Sequence, residues 1–168
     1  MASILVLGIG NILLRDEGVG VQVVQMMLDR VAKGTLSLSE DVELFDGGTF
    51  GIDLLDTIAG RRKVIVIDAV HVTAEEAADP SKVGPGAVLR FTAADLQQRE
   101  AADLSLHQVG LFETLAMARQ LGCAVGDVVI FGIVPKTLEP GLELSPEVAA
   151  TAPKVIELVL REIRDAGT

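Results

Sequence analysis

The chain has 168 residues, 49% of them apolar, and a formal net charge of −10. That length supports one domain able to bury about 68–70% of its unfolded surface. The acidic balance excludes the basic footprint that nucleic acid or an anionic membrane demands, and the absence of Trp and Tyr removes a base-stacking platform.

In chain order, Ser3–Leu7, Val42–Phe45, Val64–Ile67, Ala87–Phe91 and Val128–Ile133 read as strands. Several are unbroken apolar or β-branched runs, as strands covered on both faces require. Helical patterns lie between and after them at Val19–Arg30, Gly51–Ile58, Ala93–Arg99, Gln108–Leu121 and Pro146–Asp165. The last has a firm start, Ser145 as N-cap with Pro146 in the first helical position. The alternation predicts a single domain over 1–168, a three-layer α/β/α sandwich around a five-stranded, mostly parallel twisted sheet. The fourth strand is reached through a polar loop with no crossover helix, which predicts an antiparallel edge strand. Cys123 is the only cysteine, so neither an internal disulfide nor a thiolate zinc site is available; it reads as a small buried residue. No run approaches the roughly 20 apolar residues of a membrane helix, and no basic stretch precedes an apolar one at the start, so a soluble cytoplasmic protein with no membrane contact is expected.

Ligands of open α/β sheets bind beyond the carboxyl ends of the strands. The first strand runs into Gly8-Ile9-Gly10-Asn11 and then Asp16-Glu17 at the start of a helix. A phosphate cradle leaves that point free of negative charge, because helix amides hold the phosphate. Two carboxylates there suit a cation or a proton. The dinucleotide fingerprint is also incomplete: Leu13 stands where a third glycine belongs, so no nucleotide cofactor is expected.

Asp46-Gly47-Gly48-Thr49 follows the second strand as a turn that either is purely structural or binds substrate backbone. Asp68 closes the third strand; it either caps a loop or serves as ligand or general base, since a carboxylate there is costly to desolvate. Pro135, Glu139 and Pro140 follow the fifth. His107 lies in Ser105-Leu106-His107-Gln108, which fits a capping box and puts the imidazole in a first helical turn, where the helix dipole favours its neutral, metal-binding form. His71, three residues after Asp68, competes for that role. Glu17 or Asp16 with Asp68 and His107 would offer two oxygens and one nitrogen to a borderline divalent ion, with coordination positions left open.

Gly8-Ile9-Gly10-Asn11, Asp16-Glu17-Gly18, Asp46-Gly47-Gly48-Thr49, Ile67-Asp68-Ala69 and His107-Gln108-Val109-Gly110, in this order, resemble the motifs of the nickel–iron hydrogenase maturation endopeptidases. The resemblance runs from Leu5 to the final helix. It implies an enzyme that removes the C-terminal extension of the hydrogenase large-subunit precursor after nickel insertion. By the same resemblance Glu17, Asp68 and His107 recognise nickel held by the substrate, and Asp16 is a further catalytic candidate. Either the metal or one carboxylate then activates water, and Asp46, Gly47, Gly48 and Thr49 contact substrate. His71 matches no metal position of the family. The nickel-loaded precursor is the expected partner and a monomer the expected state, because a large substrate must reach the rim. The loop Val72–Gly86 and the segment Glu100–Leu106 are further candidates for touching the precursor. A non-enzymatic, nickel-dependent docking module would use the same ligands and is the competing reading.

Overall fold

The structure, a computed structural model, describes residues 2–49, 54–71, 83–92, 94–95 and 106–167; the side chains of 106–109 and 112 fall outside this description. Five strands, β1 (Ile4–Ile9), β2 (Val42–Gly48), β3 (Lys63–Ala69), β4 (Val88–Thr92) and β5 (Asp127–Ile133), form one sheet in the order β2-β1-β3-β5-β4. β1 runs parallel to β2 and β3, and β3 parallel to β5. β4 closes one edge antiparallel to β5, as the polar loop read before it in the sequence predicts. The helices are α1 (Val19–Ala32), α2 (Leu55–Ile58), α3 (Leu106–Gln120) and α4 (Pro146–Ala166), with a 3₁₀ turn at Arg15–Gly18 before α1.

Strand parity builds the three layers, because successive side chains point to opposite faces. Ile4 and Val6 of β1 and Ile65, Ile67 and Ala69 of β3 pack with Val23 and Met27 of α1 and Val155 and Val159 of α4. Leu5, Leu7, Ile9, Val64 and Val66 pack on the other side with Ile58 of α2 and Leu111 and Leu115 of α3. Asp68 continues the Val64, Val66 series. It therefore belongs to the layer covered by α3, the helix that carries His107.

Several element boundaries move outward from the sequence expectation. β2 takes in Asp46, Gly47 and Gly48, and β3 takes in Asp68 and Ala69, because pairing with the neighbouring strand continues past the apolar run. The segment expected to be helical at Ala93–Arg99 is helical at its described residues, 94–95, and is capped reciprocally by Thr92 and Asp95. Its remainder, the start of the Gly51–Ile58 helix and the Ser105 end of the expected capping box lie outside the described residues. Cys123 is half-buried, not buried, in the turn after α3. Among the described residues no helix is long and apolar enough to cross a membrane.

Candidate active site

The loop between β1 and α1 is shaped by close backbone approach. A side chain at Gly20 would put its Cβ 2.0 Å from the carbonyl oxygen of Ile67 and 2.4 Å from that of Ile9, so the first turn of α1 sits directly on β1 and β3. At Gly10, where φ is +138°, a Cβ would lie 1.9 Å from the carbonyl oxygen of Glu17. The glycines that look like a fragment of a nucleotide fingerprint thus press the 3₁₀ turn against the sheet rim. That contact holds the backbone of Glu17 beside the end of β3.

The two adjacent acids of the turn have different surroundings. Asp16 is fully buried, at 0% exposure. Its Oδ1 accepts from the Ser145 N–H at 2.6 Å, and its Oδ2 accepts from the N–H of Lys136 at 2.9 Å, the N–H of Thr137 at 3.1 Å and the Ser145 hydroxyl at 2.8 Å. Burial opposes its charge, but these donors outweigh it and hold the carboxyl below the usual aspartate range. Asp16 ties the 3₁₀ turn to the loop between β5 and α4. This geometry suits positioning rather than the catalytic part allowed for it from sequence. Ser145 is the N-cap of α4, with Pro146 in the first turn as expected, yet its hydroxyl donates to Asp16 and makes no cap bond to the helix.

Glu17, half-buried, lies near enough to Asp68 to repel its charge. Asp68 is 1% exposed and its Oδ1 accepts from the N–H of Ala69 at 2.9 Å. Burial pushes the Asp68 carboxyl well above the usual range; the Ala69 bond works against this, and repulsion from Glu17 adds to it. Two acidic groups close together at a strand end, one of them desolvated and resisting ionisation, are a pair that a cation would relieve. His107 lies in the first turn of α3, whose far end leads within seven residues to the start of β5, at the opposite rim of the sheet from Asp68. The helix is therefore aligned so that its start lies towards the rim of Glu17 and Asp68, while the His107 side chain is outside the described residues. His71 is exposed just beyond β3.

The Asp46–Thr49 segment borders the same rim. Asp46 accepts from the Gln25 amide at 3.0 Å and from the Gly48 N–H at 3.0 Å, and the Gly48 carbonyl accepts from the Gly10 N–H at 2.8 Å. The Asp46 carboxylate thereby shapes the turn and moors it to α1. A cleft of about 320 Å³ opens beside it, lined by Gly10, Asn11, Ile12, Leu13, Gly48 and Thr49 among others. Glu139 and Pro140 sit exposed on the loop after β5. The spacer role of Gly20 and the anchoring role of Ser145 escape sequence reading. Only their partners 47 and 129 residues away, Ile67 and Asp16, give them meaning.

A glycine-sprung turn carrying an acid, facing a buried acid at the carboxyl rim of a mostly parallel sheet, defines an α/β protein with a polar reaction site on its strand ends. The family model described as hydrogenase maturation protease matches residues 26–162. The hydrogenase 2 maturation protease of Escherichia coli K12 is 35% identical over 164 residues, covering 98% of this chain and 92% of that protein. The hydrogenase expression/formation protein HupD of Rhodobacter capsulatus is 34% identical, covering 98% of this chain and 72% of that protein. Among solved structures, the hydrogenase maturating endopeptidase HybD from E. coli superposes with a TM-score of 0.82 at 34% identity, covering 98% and 93% of the two chains. The maturation protease HybD from Thermococcus kodakarensis gives 0.71 at 26%, covering 95% and 98%. The chain belongs to the hydrogenase maturation protease family, and its fold is that of the HybD structures.

Proposed function

We propose that this protein hydrolyses a peptide bond near the carboxyl terminus of a nickel–iron hydrogenase large-subunit precursor, and that nickel already seated in that precursor is the recognition element. The observation that carries the reading is the convergence of Glu17 on the buried Asp68, in the layer covered by the helix of His107. Two carboxylates and an imidazole form a donor set suited to a divalent ion that is shared with a substrate and not stored. A nickel ion brought by the substrate supplies Lewis-acid polarisation when it is bound.

The remaining roles belong to the chain. Asp68, disposed by burial to keep its proton, would yield it to solvent water when a cation sits beside it. Glu17 is the more exposed of the pair and can accept a proton from an attacking water. Asp16 holds the turn that carries Glu17, and the Asp46–Thr49 turn offers backbone beside the cleft for the substrate chain.

The test is to mix the protein with its precursor, nickel-loaded in one reaction and nickel-free in another, and to weigh the large subunit by intact mass spectrometry. Loss of a C-terminal peptide in the loaded reaction alone is expected. Equal loss in both would remove nickel as the recognition element, and a stable complex of unchanged mass would make the protein a docking module.

A further inference from the structure

Outside the acidic pair, the loop between β1 and α1 displays apolar side chains on an ordered frame. Ile12 is 41% exposed, Leu13 61%, and Leu142, on the loop between β5 and α4, 67%. The frame is closed by the Leu13 N–H donating to Asn11 Oδ1 at 3.0 Å and the Leu14 N–H donating to the Asn11 carbonyl at 3.1 Å. The two loops are clamped together by the Arg15 N–H on the Gly141 carbonyl and the Gly141 N–H on the Leu13 carbonyl, each at 2.9 Å. Leu14 pairs with Gly141 in a short parallel bridge, so Leu13 and Leu142 flank that bridge on the two clamped loops. Holding apolar side chains in water on such a frame forgoes their burial, whereas a partner that covers them has no loop to order first.

We infer that Ile12, Leu13 and Leu142 form a ledge on which an extended, apolar segment of the large-subunit precursor docks on its way to the scissile bond. The inference rests on the function proposed above and assigns that site its substrate-gripping surface. Three observations select this occupant. The ledge is continuous with the site, since the cleft beside Ile12 and Leu13 is walled by Gly10, which abuts the Glu17 carbonyl. A second cleft, of about 470 Å³, opens on the other side of Ile12 between Leu142 and Gln22, Gln25 and Met26 of α1, so two pockets flank one apolar rib, as alternate side chains of an extended peptide require. Three side chains fall short of the roughly 800 Å² per partner that a stable dimer buries, which favours a peptide over a second copy of the chain. Asp29 and Asp46 border the two clefts, so the segment gains from basic residues beside its apolar ones.

The double variant Leu13→Ser/Leu142→Ser removes the ledge without touching the core. Its processing of the nickel-loaded precursor is followed by intact mass at varied precursor concentration, and its direct binding to immobilised precursor is measured beside that of the unaltered protein. We expect KM and Kd to rise about tenfold, with kcat within twofold and an unchanged melting temperature. The conservative pair Leu13→Met/Leu142→Met should restore both constants. Unchanged KM and Kd in an active enzyme would overturn the ledge and leave the proposed function standing. Loss of a dimer on sedimentation, with KM unchanged, would overturn it in favour of self-association. If the unaltered protein neither binds nor cleaves the precursor, the proposed function falls and the ledge with it.

Discussion

Replacing Asp68 by asparagine should make the metal-free protein more stable while abolishing its activity. The buried Asp68 carboxyl has its proton affinity raised by desolvation and by Glu17. The unfolded chain releases this proton near 3.8, the ordinary value, and the folded protein keeps it to higher pH. The folded state therefore binds more protons than the unfolded one above that value, and stability falls as pH rises until the folded group also ionises. At pH 7 the resulting penalty is bounded at about 4 kcal/mol, the cost of holding one proton against the solution. Asparagine has no proton to hold, and its side-chain oxygen can still accept from the Ala69 N–H that Asp68 binds at 2.9 Å. We expect stabilisation of about 1–4 kcal/mol at pH 7, each kcal/mol raising Tm by about 2–4 °C in a chain of this size. Thermal unfolding of both proteins in chelator, from pH 4.5 to 8, measures it. The gap between variant and parent should widen with pH. A variant less stable than its parent at pH 7, or a gap that ignores pH, would refute the reasoning that desolvation and Glu17 dominate at this site.

Four other variants have expected outcomes. Asp16→Ala leaves the donors of Lys136, Thr137 and Ser145 without their acceptor and should cost about 3–5 kcal/mol by urea denaturation. Since the Asp16 carboxyl is held low, its contribution is complete above the ordinary value of 3.8 and is lost as pH falls through the folded value, so the variant should lose the acid-side decline of its parent. Gly20→Ala must displace α1 from the carbonyls of Ile67 and Ile9, costing about 3 kcal/mol or more. Gly34→Ala, with open space around it and φ at +69°, should cost only about 1–2 kcal/mol in the same denaturation assay. Glu17→Gln should fold with an equal or higher Tm, since it removes a repulsion on Asp68, and should slow precursor processing about 100-fold or more by intact mass.

The alternation of apolar runs and helical patterns determined the layered α/β fold, because parallel strands covered on both faces must be continuously apolar and the chain writes that directly. It also pointed to β4 as an antiparallel edge, since the sequence before it reads as a polar loop with no helical pattern, and β4 does pair antiparallel with β5. The motif order alone pointed to Glu17, Asp68 and His107 as a set and to the family. What adjacent residues could not reveal is how Asp16 and Glu17 divide their work. That division depends on donors at 136, 137 and 145, which only the packing of α4 brings to the turn. Nor does Gly8-Ile9-Gly10 disclose its purpose locally. The tertiary structure decides it, because the space a side chain would need there is taken by the backbone of α1 and the preceding turn. Periodicity is a local property and survives in the one-dimensional chain; close approach and desolvation are properties of groups far apart in sequence, and they exist only once the chain has folded.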